Sequence, residues 1–148
     1  MDEKRRPENP AKIYLRRYRA LMLRQDSLRR SIDEIFAQAC NVTQNIKPIR
    51  VQGGGVTDRM AEDVARISDM TDRLREAERK TRDALEEILH AIEQVPDEMQ
   101  RTVLTLRYIE GLDWISIAEK IHYEISNTYI LHGRALWAVK KWMEEKRL

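Results

Sequence analysis

The amino-acid sequence predicts an all-α protein, in which a long antiparallel helical hairpin (a coiled-coil-like arm) is followed by a C-terminal helix-turn-helix domain. Glycine and proline are scarce, with 5 and 4 residues among 148, and 35% of all residues are charged. Such a composition is typical of solvated helices. Two long stretches repeat apolar residues at alternating steps of four and three. A glycine-rich segment separates them, and a shorter apolar pattern follows Pro96.

The first helix is predicted from Pro10 to about Cys40. Asn9 can cap its first amide groups, and Pro10 fits a first turn because the N–H that it lacks would be unpaired there. Cys40 is expected on the apolar side as a small hydrophobe. The heptad seam of this helix, interrupted only by Gln25, consists of Tyr14, Tyr18, Leu21, Gln25, Leu28, Ile32, Ile35, Ala39 and Val42.

The second helix is predicted over residues 58–95, capped by Thr57 or Asp58. A glycine-rich loop is expected near 41–57, where the periodicity fails. No strand precedes its glycines and no Gly-Lys-Ser/Thr follows them, so a phosphate-binding loop is not indicated. The seam of the second helix consists of Met60, Val64, Ile67, Thr71, Leu74, Glu78, Thr81, Leu85, Ile88, Ile92 and Val95. Residues 1–95 are therefore predicted to form the hairpin arm.

Apolar residues outside both seams predict that the arm makes a homo-oligomer, because one partner helix cannot cover them. They are Ile13, Met22, Phe36, Met70, Ala77 and Leu89. Residues 1–40 carry ten Lys or Arg against six Asp or Glu, and residues 58–95 carry seven against eleven. These opposite charges suit pairing of the two helices, although a solvated face with salt bridges explains them as well.

Residues 96–148 are predicted to form the helix-turn-helix domain. Pro96 ends the second helix, and Asp97 begins another, with Val103, Leu104, Leu106 and Ile109 on its buried side. Gly111 suits a left-handed turn, and Asp113 can cap the next helix. Six of the nine aromatic residues lie after Pro96, which predicts a well-packed C-terminal core. They are Tyr108, Trp114, Tyr123, Tyr129, Trp137 and Trp142.

The stretch from Gly111 to Leu136 has the apolar spacing of a helix-turn-helix. Small Ala118 stands where two helices must approach closely. The second helix, from about Ile125 to Trp137, is the predicted recognition helix. Leu131, Ala135 and Leu136 are expected to pack inward against Ile117 and Ile121.

The segment VPDEMQRTVLTLRYIEGLDWISIAEKIHYEISNTYILHGRAL resembles region four of bacterial sigma factors. The resemblance lies in the proline-acidic start, the LRYIEGL turn, the Ile-Ala-Glu first helix and the late Arg-Ala pair. Trp114, Tyr123, Tyr129 and Leu131-His132-Gly133, with the upstream YLRRYR arm and the Gly-Gly loop, are similar to sigma-like phage and prophage regulators of low-GC Gram-positive bacteria. RinA/ArpU-type late-transcription activators are looser relatives. The resemblance implies a DNA-binding transcriptional regulator, with RNA polymerase as a candidate second partner.

The resemblance also implies which residues meet double-stranded DNA. Asn127 would read adenine, and Arg134 would read guanine or hold phosphate. Ser126 and Tyr129 would bond phosphate or base edges, Ile130 shares their outward side, and Lys140 and Lys141 would face phosphate. A helix cap at Asn127 and a surface salt bridge at Arg134 explain those two residues equally well. The chain departs from the sigma pattern at His122, where glycine is usual, and at Glu124, where serine is usual.

No enzyme, metal or cofactor is predicted. His90, His122 and His132 lie in separate predicted elements, without a Cys or carboxylate partner at ligand spacing. A second hypothesis stays open: a helical phage assembly or DNA-packaging factor that uses the helix-turn-helix for packing or for non-specific DNA binding. No apolar run reaches the roughly 18 residues of a membrane span, and MDEKRRPENP lacks a signal-peptide core. We therefore expect a soluble protein in the bacterial cytoplasm, without a membrane partner.

Overall fold

The computed structural model describes residues 6–44 and 55–148, and within these two ranges every regular element is helical. This confirms the predicted all-α class. A π-helical turn over Thr105–Ile109 directly follows the third helix and was not expected from the sequence. The α-helices are α1 (Pro10–Gln44), α2 (Gly55–Glu93), α3 (Glu98–Leu104), α4 (Trp114–Ile121) and α5 (Ile125–Lys146).

Helix α1 begins where the sequence predicts. The Asn9 Oδ1 atom accepts a hydrogen bond from the Ala11 N–H at 3.0 Å, which confirms the cap. The helix ends at Gln44, four residues beyond Cys40. Cys40 itself is exposed, whereas the seam residue Ala39 beside it is half-buried, so the predicted place of Cys40 on the apolar side is wrong.

Helix α2 begins at Gly55, so Thr57 and Asp58 lie in its first turn instead of capping it. The predicted loop near 41–57 is correspondingly shorter, since 41–44 and 55–57 are helical. The centre of that loop, residues 45–54, lies outside the described residues, as does the side chain of Val42.

The described residues fall into two compact units, one within Met1–Ala20 and Thr81–Leu148 and the other within Leu21–Lys80. In the first unit, the beginning of α1 and the end of α2 pack with α3 and α5 around one apolar cluster. Ala11 and Leu15 are fully buried there, although neither is a seam position. The cluster contains Ala11, Leu15, Ile88, Ile92, Val95, Leu104, Tyr108, Ala135, Leu136, Val139 and Met143.

A second apolar cluster in the same unit lies between α3, its π-helical turn, and α4. Leu131 packs against this cluster, which includes Ile117 and Ile121 as predicted. Ala135 and Leu136 are buried in the first cluster instead, because α5 continues past α4 and meets α1 and α2. The second cluster contains Val103, Leu106, Ile117 and Ile121, with Met99, Leu112, Trp114 and Leu131 at its edge.

The unit of residues 21–80 has almost no core. Among its described side chains only Ala77 is buried, and it was predicted to lie outside the seam. The predicted seam residues of α1 are half-buried, whereas Met60 and Val64 of α2 are exposed. Arg29 Nη2 lies 2.9 Å from Glu78 Oε1 and joins the two helices. None of the described helices has a stretch long and apolar enough to cross a membrane.

Candidate nucleic-acid interface

Helices α4 and α5 are joined by three residues, His122, Tyr123 and Glu124. Asp113 caps α4, with its Oδ1 accepting from the Ser116 N–H at 2.8 Å, and this bond lowers the pKa of the Asp113 carboxyl. His122 ends α4 in the left-handed conformation, at φ 58° and ψ 40°. The Tyr123 N–H then donates to the Ala118 carbonyl at 3.0 Å. This pattern closes a helix end in the way that glycine usually does, so the turn forms with histidine in glycine's place.

The inner side of α5 is anchored by buried residues at helical spacing. Its hydroxyl-bearing member, Thr128, is fully buried and donates back to the Glu124 carbonyl at 3.0 Å. Glu124 itself makes no side-chain cap to α5. The buried set is Thr128, His132, Ala135, Leu136, Val139 and Met143. Thr128 and His132 were not predicted for this side, although both fall on its spacing.

His132 belongs to an aromatic group that holds α5 against α4 and the π-helical turn. Its Nε2 atom lies 2.8 Å from the Tyr108 hydroxyl, within hydrogen-bonding distance. Burial raises the pKa of Tyr108 to about 12. Burial, followed by the positive charges of Lys12 and Arg107, lowers the pKa of His132 to about 4. The imidazole is therefore neutral near pH 7 and serves the core rather than the surface.

Trp114, the first residue of α4, contacts α5 at two points. Its ring centroid lies 4.5 Å from that of His132 and 5.0 Å from that of Tyr129. The Arg107 guanidinium carbon lies 4.7 Å from the Trp114 ring centroid, and Arg107 donates to the Leu112 carbonyl at 2.9 Å. These contacts fix the direction in which the first turns of α5 project.

The outward side of α5 carries most of the residues predicted to meet DNA. Ser126, Asn127, Ile130 and Arg134 are exposed, and their spacing places them along one side of the helix. Tyr129 is 48% exposed, but its ring leans on Trp114 at the flank. Gly133 lies on the same side, and a Cβ atom built there would meet no other atom within 4 Å.

In the second half of α5, Lys140 and Trp137 lie elsewhere than the sequence predicts. Lys140 is half-buried, with its Nζ 3.9 Å from Glu144 Oε1, so it lies at the flank. Lys141 is exposed, with its Nζ 5.5 Å from the ring centroid of Trp137. Trp137 was predicted for the core but is 65% exposed on the outward side. Tyr123, similarly predicted, is exposed as well and lies in the connection between α4 and α5. Trp137 stands seven residues after Ile130, so helical spacing places it on the outward side.

Charge distinguishes this outward side from the rest of the surface near α4. From Ile125 to Met143 the chain contains no Asp or Glu, whereas Arg134, Lys140 and Lys141 are basic. The exposed carboxylates nearest in sequence are Glu119 and Glu124, before α5, and Glu144, after this stretch. Asp97, which precedes α3, lines one groove together with Arg134 and Trp137, so one carboxylate lies beside this side of α5. The amide, hydroxyl and guanidinium groups of α5 itself can donate to an anionic partner.

Comparison of the chain with protein-family models, with curated proteins and with solved structures gives no match. Among the described residues, no group of three or more His, Cys, Asp or Glu side chains is placed to hold a metal ion.

Proposed function

We propose that this protein is a sequence-specific DNA-binding transcriptional regulator of phage or prophage genes, with α5 in the major groove. The observation that carries the proposal is the outward side of α5, which combines exposed donors with the absence of carboxylates from Ile125 to Met143. An α-helix fits the major groove, where base edges present acceptors to Asn and Arg side chains. The resemblance to sigma region four supports the same assignment.

In this proposal, α4 and α5 are the two helices of a helix-turn-helix, and α5 is the recognition helix. The three-residue connection matches the short turn of that motif. Asn127 and Arg134 stand on the exposed side, two turns apart, and each has a base to which it is suited. Ser126, Tyr129, Lys140 and Lys141 then hold the phosphates beside the groove.

The arm in this proposal is an antiparallel hairpin of α1 and α2 that self-associates. The weak core of residues 21–80 supports self-association, because only Ala77 is buried among the side chains described there. An open groove of this unit is lined by both signs of charge, Arg24, Arg73 and Lys80 with Asp69, Asp72 and Glu76. Mixed charges do not oppose contact between identical copies. RNA polymerase is the second proposed partner, and the bacterial cytoplasm the proposed location.

The proposal is tested by selecting duplexes from a random DNA pool with the full-length protein and measuring affinity for the enriched site. Arg134→Ala should weaken binding by about 1–3 kcal/mol if the guanidinium meets guanine. If the guanidinium meets only phosphate, the loss of affinity should be similar on every sequence. The slope of log K against log salt concentration should then fall in magnitude by about one. Asn127→Ala should relax the preference at one base pair.

Arg66→Ala and Asn41→Ala are the matched controls, because both residues are exposed in the other compact unit. Both controls should bind as the parent does. Unchanged binding by folded Arg134→Ala and Asn127→Ala would contradict the recognition-helix assignment.

A second candidate function is a helical phage assembly or DNA-packaging factor. The exposed Trp137, Ile130 and Tyr123 favour it, because large exposed apolar side chains often pack against a protein partner. This function predicts no enriched sequence in the selection, and binding, if any, that depends only on salt concentration.

A further inference from the structure

Ile130 is the one aliphatic side chain among the donors in the outward row of Ser126, Asn127, Ile130 and Arg134. It is 52% exposed and belongs to neither apolar cluster of its unit. Asn127 and Arg134 are three residues before it and four after it, so both adjoin it on the helix surface. Ile130 has no polar atom to offer DNA, and its contribution there must come from an apolar contact.

No contact within the chain accounts for a glycine at position 133. It is the ninth residue of α5 by position, well inside Ile125–Lys146, where glycine is about 1 kcal/mol less favourable than alanine. Its φ is not positive, and an added Cβ would stand in open space. Glycine is used where another molecule comes close to the backbone. The absence of a side chain beside Ile130 therefore points to a partner that approaches α5 closely at this point.

We propose that Ile130 contacts the 5-methyl group of a thymine, and that Gly133 leaves the space that lets the groove approach closely enough for this contact. The inference rests on the proposed DNA binding and names the base that the apolar part of the surface selects. The thymine methyl is the apolar group that base pairs present in the major groove. Three helix residues rise by about 4.5 Å, close to the roughly 3.4 Å between base pairs, so Asn127 and Ile130 fit the same or neighbouring A·T pairs.

The methyl contact is tested by replacing the thymines of the enriched duplex, one at a time, with uracil, which removes only the methyl group. For the parent, one replacement should weaken binding about 3- to 10-fold, as expected for one buried methyl. Ile130→Ala should bind the unmodified duplex more weakly and should lose nothing further at that uracil. Leu23→Ala, which changes an exposed aliphatic residue (65%) on α1 outside the seam, should behave as the parent.

Gly133 is tested by adding a side chain. Gly133→Leu should weaken DNA binding at least tenfold while leaving the melting temperature no lower, because a Cβ atom built at this position meets no other atom within 4 Å and leucine is a better helix former than glycine. Gly133→Ala should raise the melting temperature and weaken binding less. Ala65→Leu, at an exposed position of α2, is the matched control and should not change DNA binding.

The outcomes separate the two proposals. If the parent enriches no sequence, the proposed function is overturned, and this inference with it. If the parent enriches a site that contains no thymine, or one in which every uracil replacement is harmless, the inference alone is overturned. It is equally overturned if Ile130→Ala still responds to the sensitive uracil, or if Gly133→Leu binds as the parent does.

Discussion

At the scale of single residues, Gly111 shows how one position satisfies two demands. Its φ of +73° lies in the left-handed region, which residues with a Cβ atom rarely adopt. The guanidinium carbon of Arg19 lies 2.5 Å from the place that a Cβ would occupy. The sequence predicts the left-handed conformation, since Gly111 stands between two helices. The contact with Arg19 of α1 arises only from tertiary packing.

Gly111→Ala should therefore lower the free energy of unfolding, by about 1–2 kcal/mol, through backbone strain and displacement of Arg19. Urea denaturation measures the loss. Combining it with Arg19→Ala should recover the part that comes from the clash and leave the part that comes from φ. Gly133→Ala is the opposite case, with open space and no positive φ, and should raise stability. Equal effects at the two glycines would contradict this account.

His132 makes stability depend on pH. Its pKa in the folded protein is lowered to about 4, while an unfolded histidine titrates near 6.5, roughly its ordinary value. Between these values the unfolded chain binds more protons than the folded one, so stability falls as the pH is lowered through this window. The contribution is complete above about pH 6.5, and about 2 kcal/mol should be lost by pH 4.

Thermal unfolding followed from pH 7 to pH 4 tests this prediction. His132→Gln should be less stable near pH 7 and should show a smaller decrease in melting temperature toward pH 4. His90→Gln, at an exposed histidine of α2, should retain the parent's pH dependence. A parent and a His132→Gln variant with the same slope would show that other groups cause the acid sensitivity.

At the scale of the helix, the buried side of α1 changes along its length. The four-and-three pattern describes a helix with one partner helix. In the first turns α1 instead packs in a cluster formed by α2, α3 and α5, which buries Ala11 and Leu15 completely. Farther along, the seam residues such as Leu28 are only half-buried. A wider contact surface near Pro10 explains why the seam predicted there was incomplete.

Leu15→Ala should consequently destabilise the protein more than Leu28→Ala. A fully buried leucine leaves a cavity, at a cost of about 2–5 kcal/mol. A half-buried one loses mainly transfer free energy and should cost about 1 kcal/mol. Both variants remove the same atoms from the same helix, so a comparison of their urea midpoints isolates burial. A larger loss at Leu28 would indicate that this residue is buried in an oligomer.

At the scale of the whole molecule, the two compact units differ in the interactions that stabilise them. The unit of Met1–Ala20 and Thr81–Leu148 contains two apolar clusters. The unit of Leu21–Lys80 has charged surfaces, ion pairs such as Arg29 with Glu78, and one buried alanine among its described side chains. Exposed ion pairs contribute little, at most about 1 kcal/mol each, so this unit gains most from added apolar contacts.

We therefore expect the chain to self-associate through residues 21–80. Sedimentation over a range of concentrations should show a monomer–oligomer equilibrium. Phe36→Glu should shift that equilibrium toward monomer without destabilising the monomer, because Phe36 is 59% exposed. Leu23→Glu is the control, since Leu23 is exposed on the opposite side of α1 from the seam. A parent that stays monomeric at high concentration would contradict this prediction.

What the sequence by itself determined are the features that depend on neighbouring residues. Asn9 and Asp113 cap helices where predicted, and Gly111 takes the left-handed conformation. A helix was predicted to begin at Asp97, and Asp97 is the residue that caps it. Each cap is a bond over two or three residues, so it leaves a local pattern. The apolar spacing of α3 and α4 likewise predicted their buried sides. The exposure of Ser126, Asn127 and Arg134 follows from the apolar spacing of α5.

Only the tertiary structure decided the features that join distant parts of the chain. The Tyr108–His132 bond spans 24 residues, and the burial of Leu15 depends on helices that begin far from it in sequence. The π-helical turn has no evident sequence signal. Such outcomes depend on which surfaces compete for the same space, and periodicity within one helix carries no information about that competition.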